Sequence, residues 1–287
     1  MQPVRTVGLI VKPHVPEARR VVPELVEWLR ARGIAVRYDA PAAGYLGRKD
    51  GLTREDLVPG CELVLVLGGD GTLLAASRAL KDKEIPLLAV NLGGLGFLTA
   101  TTVDELYPEL ECALAGESRV VTRAKIQCAL MRSRAKVSEY EALNDVVITK
   151  ASLARMIDLE TCVDSQLMCT YKADGLIIST PTGSTAYSLS ANGPIVFPSV
   201  AGTCITPICP HTLTNRPVIV PDTSEITVTN LASNGDAYLT IDGQEGQALN
   251  HRDEVVCRHA RHSLHLVRPH KLSFFDVLRT KLKWGER

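Results

Sequence analysis

Glu62-Leu63-Val64-Leu65-Val66-Leu67-Gly68-Gly69-Asp70-Gly71-Thr72-Leu73-Leu74-Ala75-Ala76-Ser77 runs from an apolar strand through three glycines into a helical pattern. An unbroken run of Leu and Val, without polar alternation, predicts a strand buried on both faces, as in a parallel sheet covered by helices. The segments around it repeat that logic. Upstream, Val7 to Val11 reads as a first strand. Glu17 to Arg32 reads as a helix with Val21, Val22, Leu25, Trp28 and Leu29 on one side and Gly33 in the C-cap place, although Pro23 stands inside it. Ile34 to Tyr38 is a second strand. Leu46 to Gly60 is a polar connection without periodicity, expected to be mobile. Downstream, Leu73 to Leu80 continues the helix, and Leu87 to Asn91 is a further strand ending in Gly93, Gly94, Leu95 and Gly96. This alternation predicts an α/β domain: a parallel sheet with flanking helices.

From about Arg119 the texture changes. Strand-like segments follow near 122–131, 140–150, 155–164, 174–180, 216–220, 226–230, 237–242 and 253–268, with turn signals at Asn234-Gly235 and Asp242-Gly243. Their spacing predicts an all-β, sandwich-like second domain. At the C-terminus Ser273 is a candidate N-cap with Asp276 three residues on. Phe275, Leu278 and Leu282 then share one face of a helix expected to pack back on the first domain. The expected division is therefore 1–118 with 271–287, and 119–270.

The 287 residues are 45% hydrophobic and 22% charged, enough apolar side chain for two cores and too much for a chain disordered throughout. Thirty-two basic and thirty-two acidic residues cancel, so no global field attracts nucleic acid or an anionic membrane, and any phosphate must be held locally. No apolar stretch approaches the roughly 20 residues of a membrane span, and the N-terminus has no secretory pattern. A cytoplasmic address is expected. The eight cysteines show no CxxC pair, and most read as buried small hydrophobes.

Three motifs carry chemistry. Gly68-Gly69-Asp70-Gly71-Thr72 lies at a strand-to-helix junction, where glycines let backbone N–H groups approach phosphate oxygens. Asp70 is the anomaly. A carboxylate in an anion-binding turn repels phosphate, so it makes sense if it binds a hydroxyl, accepts a proton or holds a cation, the plain alternative being a helix N-cap. The turn is neither a Walker loop nor a GxGxxG dinucleotide turn. Second, Asn144 and Asp145 interrupt an apolar strand with donor and acceptor groups suited to vicinal ribose hydroxyls, or simply begin that strand in solvent. Third, Asp174 to Ser188 runs from a buried strand into the hydroxyl-rich loop 179–188, fit to bind a nucleotide or to cap the helix near Ala186.

Gly68 to Thr72, Asn144-Asp145, the block from Asp174 to Ser190 and Asp242-Gly243-Gln244 stand in the order and spacing of the NAD kinases, also called ATP-NAD or polyphosphate/ATP-NAD kinases. The resemblance spans nearly the whole chain. It implies an enzyme that phosphorylates the adenosine-ribose 2′-hydroxyl of NAD, with ATP or polyphosphate as donor and Mg²⁺ carried by ATP rather than by a fixed protein site. By that similarity Asp70 is the general base, and Gly68, Gly69, Gly71 and Thr72 cradle the donor phosphates, with Gly71 also beside NAD. Asn144 and Asp145 hold substrate hydroxyls. Thr182, Thr185, Ala186 and Tyr187 line the adenine side, Phe97 packs near the adenine unless it is simply a core aromatic, and Asp174 lies towards the nicotinamide. Ser190 and Gln244 carry over more weakly. The family is usually a homodimer or homotetramer, and an oligomer is expected here.

Two positions depart from the family pattern. Asn144-Asp145 stands where Asn-Glu is more common, which shortens the reach by one methylene, and Lys172 stands where many relatives have Arg, which removes a bidentate phosphate contact. The Gly-Gly-Asp-Gly turn also occurs in lipid kinases and resembles a phosphofructokinase loop, and a non-catalytic nucleotide sensor is a further alternative. The neutral charge and polar 179–188 loop argue against a lipid acceptor, and the presence of Asp70 argues against a sensor. Cys257 with His259, His262 and His265 is read as a polar edge strand rather than a zinc site, because strand alternation sends 259 and 262 to opposite faces.

Overall fold

The computed structural model describes residues 4–151, 155–233, 235–269 and 272–285. They form two compact units, one built from the chain up to Thr122 together with the segment from Leu264 onward, the other from Arg123–Ser263.

The first unit begins with β1 (Thr6–Val11), α1 (Ala18–Ala31), β2 (Ala35–Tyr38), α2 (Ala40–Tyr45), α3 (Arg54–Leu57), β3 (Leu63–Leu67), α4 (Asp70–Leu80), β4 (Leu87–Val90), α5 (Leu106–Ala115) and β5 (Arg119–Arg123). All five residues of β3 are buried, as its apolar run requires, and β3 pairs in parallel with β1 and β4. Helix α1 forms despite Pro23 because Val21, Val22, Leu25, Val26 and Leu29 bury one continuous face, which outweighs one missing helical hydrogen bond.

Two short helices that the sequence reading does not mark flank and enter the 46–60 connection. Asp39 caps α2 by accepting from the Ala42 N–H, and Thr53 caps α3 by accepting from Asp56. Helix α5 carried no expectation at all, although Leu106, Leu110 and Ala113 bury one face and Gly116 closes the helix at φ 75°.

The second unit contains β6 (Ile126–Arg132), β7 (Ala135–Ala142), β8 (Asp145–Lys150), β9 (Ile157–Val163), β10 (Gln166–Ala173), β11 (Gly175–Ser179), a 3-10 turn at Gly183–Thr185 and α6 (Tyr187–Ser190). It continues with β12 (Gly202–Ile208), β13 (Val218–Pro221), β14 (Ile226–Asn230), β15 (Ala237–Ile241), β16 (Glu245–Leu249) and β17 (Glu254–His259). Two antiparallel sheets, ordered β10-β9-β14-β17-β6-β7 and β13-β12-β11-β8-β15-β16, share one apolar core. Inward residues alternate along each strand, Val146 and Ile148 from β8 and Leu239 and Ile241 from β15 meeting Cys128 and Leu130 from β6, so the second unit is the sandwich the spacing implied. The chain ends with β18 (Leu264–Arg268) and α7 (Phe274–Leu282), whose Ser273 and Asp276 form the expected capping box.

Several strand expectations change, beginning with 122–131, which spans the end of β5 and most of β6 in different sheets. The segment 140–150 is two strands in different sheets, with the crossing at Leu143-Asn144. The segment 253–268 is also two, and β18 leaves the β-rich unit to pair in parallel with β4, so the second unit ends at Ser263 rather than 270. Strands β10, β12 and β16 had no clear sequence signal. Asp242 and Gly243 turn β15 into β16 with φ of 50° and 65°, whereas Asn234 of the other expected turn lies outside the described residues.

Cys61, Cys128, Cys204 and Cys257 are buried, but Cys209 is exposed and Cys112, Cys162 and Cys169 are half-buried, so burial accounts for half the cysteines rather than most. No described helix is long and apolar enough to cross a membrane.

Candidate active site

In the first unit, the glycine-rich turn joins β3 to α4 at the C-terminal edge of the parallel sheet, where ligands of such sheets bind. Gly69 is the N-cap and Asp70 the first helical residue. Gly68 is required by space: a Cβ there would lie 2.4 Å from Thr72 Oγ1 and 3.0 Å from Lys12 Cβ.

Asp70 does not cap its own helix. Its carboxylate turns to the 96–99 loop, where Oδ1 accepts from the Leu98 N–H (3.2 Å), the Thr99 N–H (3.0 Å) and the Thr99 hydroxyl (2.9 Å), while Oδ2 accepts from the Phe97 N–H (3.0 Å). Four donors therefore fix the carboxylate, and the uneven split leaves Oδ2 with the larger spare acceptor capacity. Beneath the loop, the buried Arg268 guanidinium donates to the carbonyls of Phe97 (3.4 Å) and Leu98 (3.3 Å). Burial lowers the Arg268 pKa, and the negative charge of Asp70 acts against that effect.

A cavity of about 400 Å³ opens beside this turn, lined by Gly68, Gly69, Asp70, the 91–96 loop, Lys12 and Lys281. Gly71 is exposed and Thr72 is buried under Gly68. Lys281, on α7, has its ammonium 5.9 Å from the centre of the Phe97 ring. The two lysines supply the positive charge that the turn itself lacks.

In the second unit, a cavity of about 420 Å³ lies on the outer face of the β8-β15 pair and brings together Asn144, Asp145, Ala186, Tyr187 and Asp242. Asp145, Val147 and Thr149 alternate onto that face. The Asp145 side chain is 4% exposed, and burial followed by the charge of Asp242 pushes its carboxyl up to about 7. Asn144 is held from its other side, its carbonyl accepting from the Thr180 N–H at 2.9 Å.

The remaining expected residues do not line that cavity. Asp174 is paired with Lys150 at 2.6 Å, and Lys172, Ser190 and Gln244 are exposed. Thr182 is buried, and the Thr185 hydroxyl donates to the Thr182 carbonyl at 3.2 Å. Much of the hydroxyl-rich loop binds the protein itself. Thr180 Oγ1 donates to the Leu143 carbonyl (2.6 Å), Ser184 Oγ donates to Pro181 (2.6 Å), and Ser188 pairs with Thr206 (2.9 Å). These hydroxyls shape the loop from which Ala186 and Tyr187 reach the cavity.

Sequence reasoning missed Lys12, Lys281, Thr99, Arg268 and the part played by Asp242. Only Lys12, the first polar residue after an apolar strand, had a readable position; the others depend on which segments meet in space. Of the histidine cluster, Cys257 stands opposite Cys128 across the β17-β6 pair, His259 Nδ1 lies 3.2 Å from Asp222, and His265 is on β18 in the other unit. Among the described residues no group of three or more His, Cys, Asp or Glu is placed to hold a metal.

A fixed carboxylate beside a glycine-rich strand-to-helix turn, with a second cavity lined by amide, acid and hydroxyl groups, defines a nucleotide-using phosphotransferase. The chain belongs to the ATP-NAD kinase family, whose N-terminal domain model matches residues 7–118 and whose C-terminal domain model matches 143–269. It is 58% identical over 284 residues to the NAD kinase of Solibacter usitatus, covering 99% of each chain. To the NAD kinase of Geobacter sulfurreducens it is 49% identical over 284 residues, covering 99% of this chain and 100% of the relative. The fold is similar to yeast NADH kinase, solved in complex with NADH, with a TM-score of 0.92, 25% identity, and coverage of 100% of this chain and 89% of that one. It also resembles an NAD kinase from Archaeoglobus fulgidus solved in complex with ATP (TM-score 0.79, 23% identity, 97% of this chain and 98% of that one). The resemblance carried by four motifs thus extends over the whole chain, and the lipid-kinase and sensor alternatives fall away.

Proposed function

We propose that this phosphotransferase moves the terminal phosphoryl group of ATP, or of polyphosphate in its place, to the 2′-hydroxyl of the adenosine ribose of NAD, giving NADP. The observation that carries the mechanism is the Asp70 carboxylate, with Oδ1 engaged by three donors and Oδ2 by one. Oδ2 orients the ribose hydroxyl and takes its proton as the hydroxyl oxygen bonds to phosphorus. The bond from phosphorus to the donor oxygen breaks, and ADP leaves with the electron pair. Such transfers gain mainly from alignment and charge neutralisation, so one oriented carboxylate is sufficient protein chemistry.

In this reading the first unit is the phosphoryl-donor domain, where Gly68, Gly69, Gly71 and Thr72 form the phosphate cradle and Lys12 and Lys281 balance its charge. The second is the NAD-binding domain. Asn144 and Asp145 hold substrate hydroxyls there, supported by an Asp145 carboxyl that is buried yet lines the cavity. By the family resemblance Thr182, Thr185, Ala186 and Tyr187 line the adenine side and Asp174 lies towards the nicotinamide, with Gly71, Phe97, Lys172, Ser190 and Gln244 as further NAD contacts.

Mg²⁺ arrives on ATP. The donor set fits this: among the described residues Asp70 is the sole carboxylate lining the donor cavity, too few protein oxygens for a fixed six-coordinate ion, so phosphate oxygens are left to hold it. When bound, the ion neutralises charge on the transferring phosphoryl group.

The enzyme works in the cytoplasm as a homodimer or homotetramer. Self-association is supported by the outermost strand β13, whose Val218 and Ile219 are exposed, and by the exposed apolar Val200 beside Ile219.

Purified protein with Mg²⁺, ATP and either NAD or NADH tests the reaction, the NADP or NADPH formed being read by a strictly NADP-dependent dehydrogenase or by chromatography. Product with NAD is expected. No product with either acceptor, with polyphosphate and Mn²⁺ also tried on folded protein, would overturn the reading.

A further inference from the structure

The crossing from β7 to β8 exposes a structural problem. The chain passes from one sheet of the sandwich to the other within two residues, Leu143 and Asn144, and backbone N–H groups at such a step need acceptors. One carboxylate supplies them. Asp242, in the turn between β15 and β16, accepts from Leu143 N–H on Oδ2 (3.0 Å) and from Asn144 N–H (2.7 Å) and Asp145 N–H (3.1 Å) on Oδ1. Its own N–H donates to the Asp145 carbonyl at 2.9 Å, and the residue is 7% exposed. Asp242 also lines the same cavity as Asn144 and Asp145.

We propose that Asp242 is a positioning residue for NAD, fixing Asn144 and Asp145 against the cavity by gathering three consecutive amides and setting its charge beside the Asp145 carboxyl. The inference rests on the reading of Asn144 and Asp145 as NAD contacts. With its carboxylate engaged by three consecutive amides and the residue 7% exposed, Asp242 acts through the segment it holds. The ionisable groups that line the cavity with Asp145 are Asp242 from the β15-β16 turn and Tyr187 from α6; Ser179 of β11, opposite Asp145, carries only a hydroxyl. Among the described residues no group raises the acidity of Asp145 by hydrogen bonding to it, while burial and Asp242 both push it up, to about 7. Below about pH 7 the pair therefore offers one charged acid that holds the backbone and one largely neutral acid that donates a hydrogen bond to a ligand oxygen.

Asp242→Asn and Asp242→Glu in the full chain test this. Asparagine turns an acceptor into an NH₂ group facing an N–H, and glutamate keeps the charge while moving the carboxylate. With no ligand present, amide exchange at residues 143–145 should accelerate by about tenfold or more in Asp242→Asn. In steady-state kinetics the KM for NAD should rise by about tenfold or more, with the KM for ATP within about twofold. Asp242→Asn should also move the ionisation seen in the pH profile of kcat/KM for NAD to lower pH. Asp242→Glu should keep that ionisation near its native position while still raising the KM for NAD. Unchanged exchange in both variants overturns the positioning role. Accelerated exchange with an unchanged KM for NAD overturns instead the assignment of Asn144 and Asp145 on which the role depends. If Asp242→Asn does not fold, the exchange, KM and pH readouts of Asp242→Glu decide the question.

Discussion

Gly96→Ala is the most demanding test of the geometry around Asp70. A Cβ built on Gly96 lies 2.3 Å from Asp70 Oδ1, 2.3 Å from Thr99 Oγ1 and 2.9 Å from Asp70 Cγ, against the 3.0 Å below which real Cβ atoms essentially never approach. One added methyl group must push the carboxylate and the Thr99 hydroxyl back by about 0.7 Å or shift the loop that supplies the donors, and misplacement of about 1 Å costs on the order of 10²-fold in rate. Either movement lengthens bonds that now measure 2.9 to 3.2 Å on Oδ1. Overpacking at such a site costs about 1–3 kcal/mol of stability, which lowers Tm by about 2–4 °C per kcal/mol in a protein of this size class. The variant should therefore fold, melt a few degrees early, and lose about two orders of magnitude in kcat with a much smaller change in the KM for ATP and NAD. Circular dichroism establishes the fold, and the coupled NADP assay gives kcat. A folded Gly96→Ala enzyme with kcat within about threefold of the native value would refute the claim that the 96–99 loop sets the catalytic position of Asp70.

Other outcomes follow from the same geometry. Asp70→Asn keeps the shape and removes the proton acceptor, so turnover should fall by about 10²-fold or more while calorimetry still detects NAD binding. Lys281→Ala removes one of two cations from the donor cavity and should raise the KM for ATP by about three- to tenfold, more at low salt, with the KM for NAD unchanged. Asp145 has a pKa raised from 3.8 to about 7, so the stability it contributes is full below about pH 4 and is lost as pH rises through about 7, an upper limit of about 4 kcal/mol. Asp145→Asn, which cannot ionise, should thus gain in Tm relative to the native protein between about pH 5 and about pH 8; a constant Tm difference across that range would show that Asp145 is not buried as a neutral acid.

The parts of the fold that were legible in the sequence are those where burial dictates composition. The five buried residues of β3 had to be apolar, and the glycines after them marked a turn that no other residue fits at Gly68. Strands β10 and β16 were illegible for the opposite reason: β10 is half exposed and carries polar residues on both faces, and β16 contains Gly246 packed against β15 backbone, neither giving clean alternation, while β12 is buried but its Gly202, Thr203, Thr206 and Pro207 break the apolar run that marks a buried strand. β18 could not be assigned to its sheet, because Leu264 to Arg268 reads as a strand whichever partner it has. The site divided along the same line. Asp70 stood out because a carboxylate is out of place in a phosphate turn. Arg268 did not, because its significance depends on the Phe97 and Leu98 carbonyls that come above it only in the folded unit.

Asp70 and Asp242 solve one physical problem in two ways. Each accepts from three consecutive backbone amides, Phe97 to Thr99 for the first and Leu143 to Asp145 for the second, from segments 27 to 29 and 97 to 99 residues away in the chain. A carboxylate bridging a tripeptide fixes that tripeptide more firmly than a side chain with one partner, because loosening it breaks several charge-assisted bonds together. The consequences diverge with exposure. Asp242 is nearly sealed, so its charge is spent on the backbone and on the state of Asp145, and its loss should appear in NAD affinity. Asp70 borders a cavity with Oδ2 holding one amide, so the clamp that orders the loop leaves one oxygen of the carboxylate with acceptor capacity for a ligand. Binding and turnover are therefore separable by substitution. Changes at Asp242 act on the acceptor's KM, and changes at Asp70 or Gly96 act on kcat.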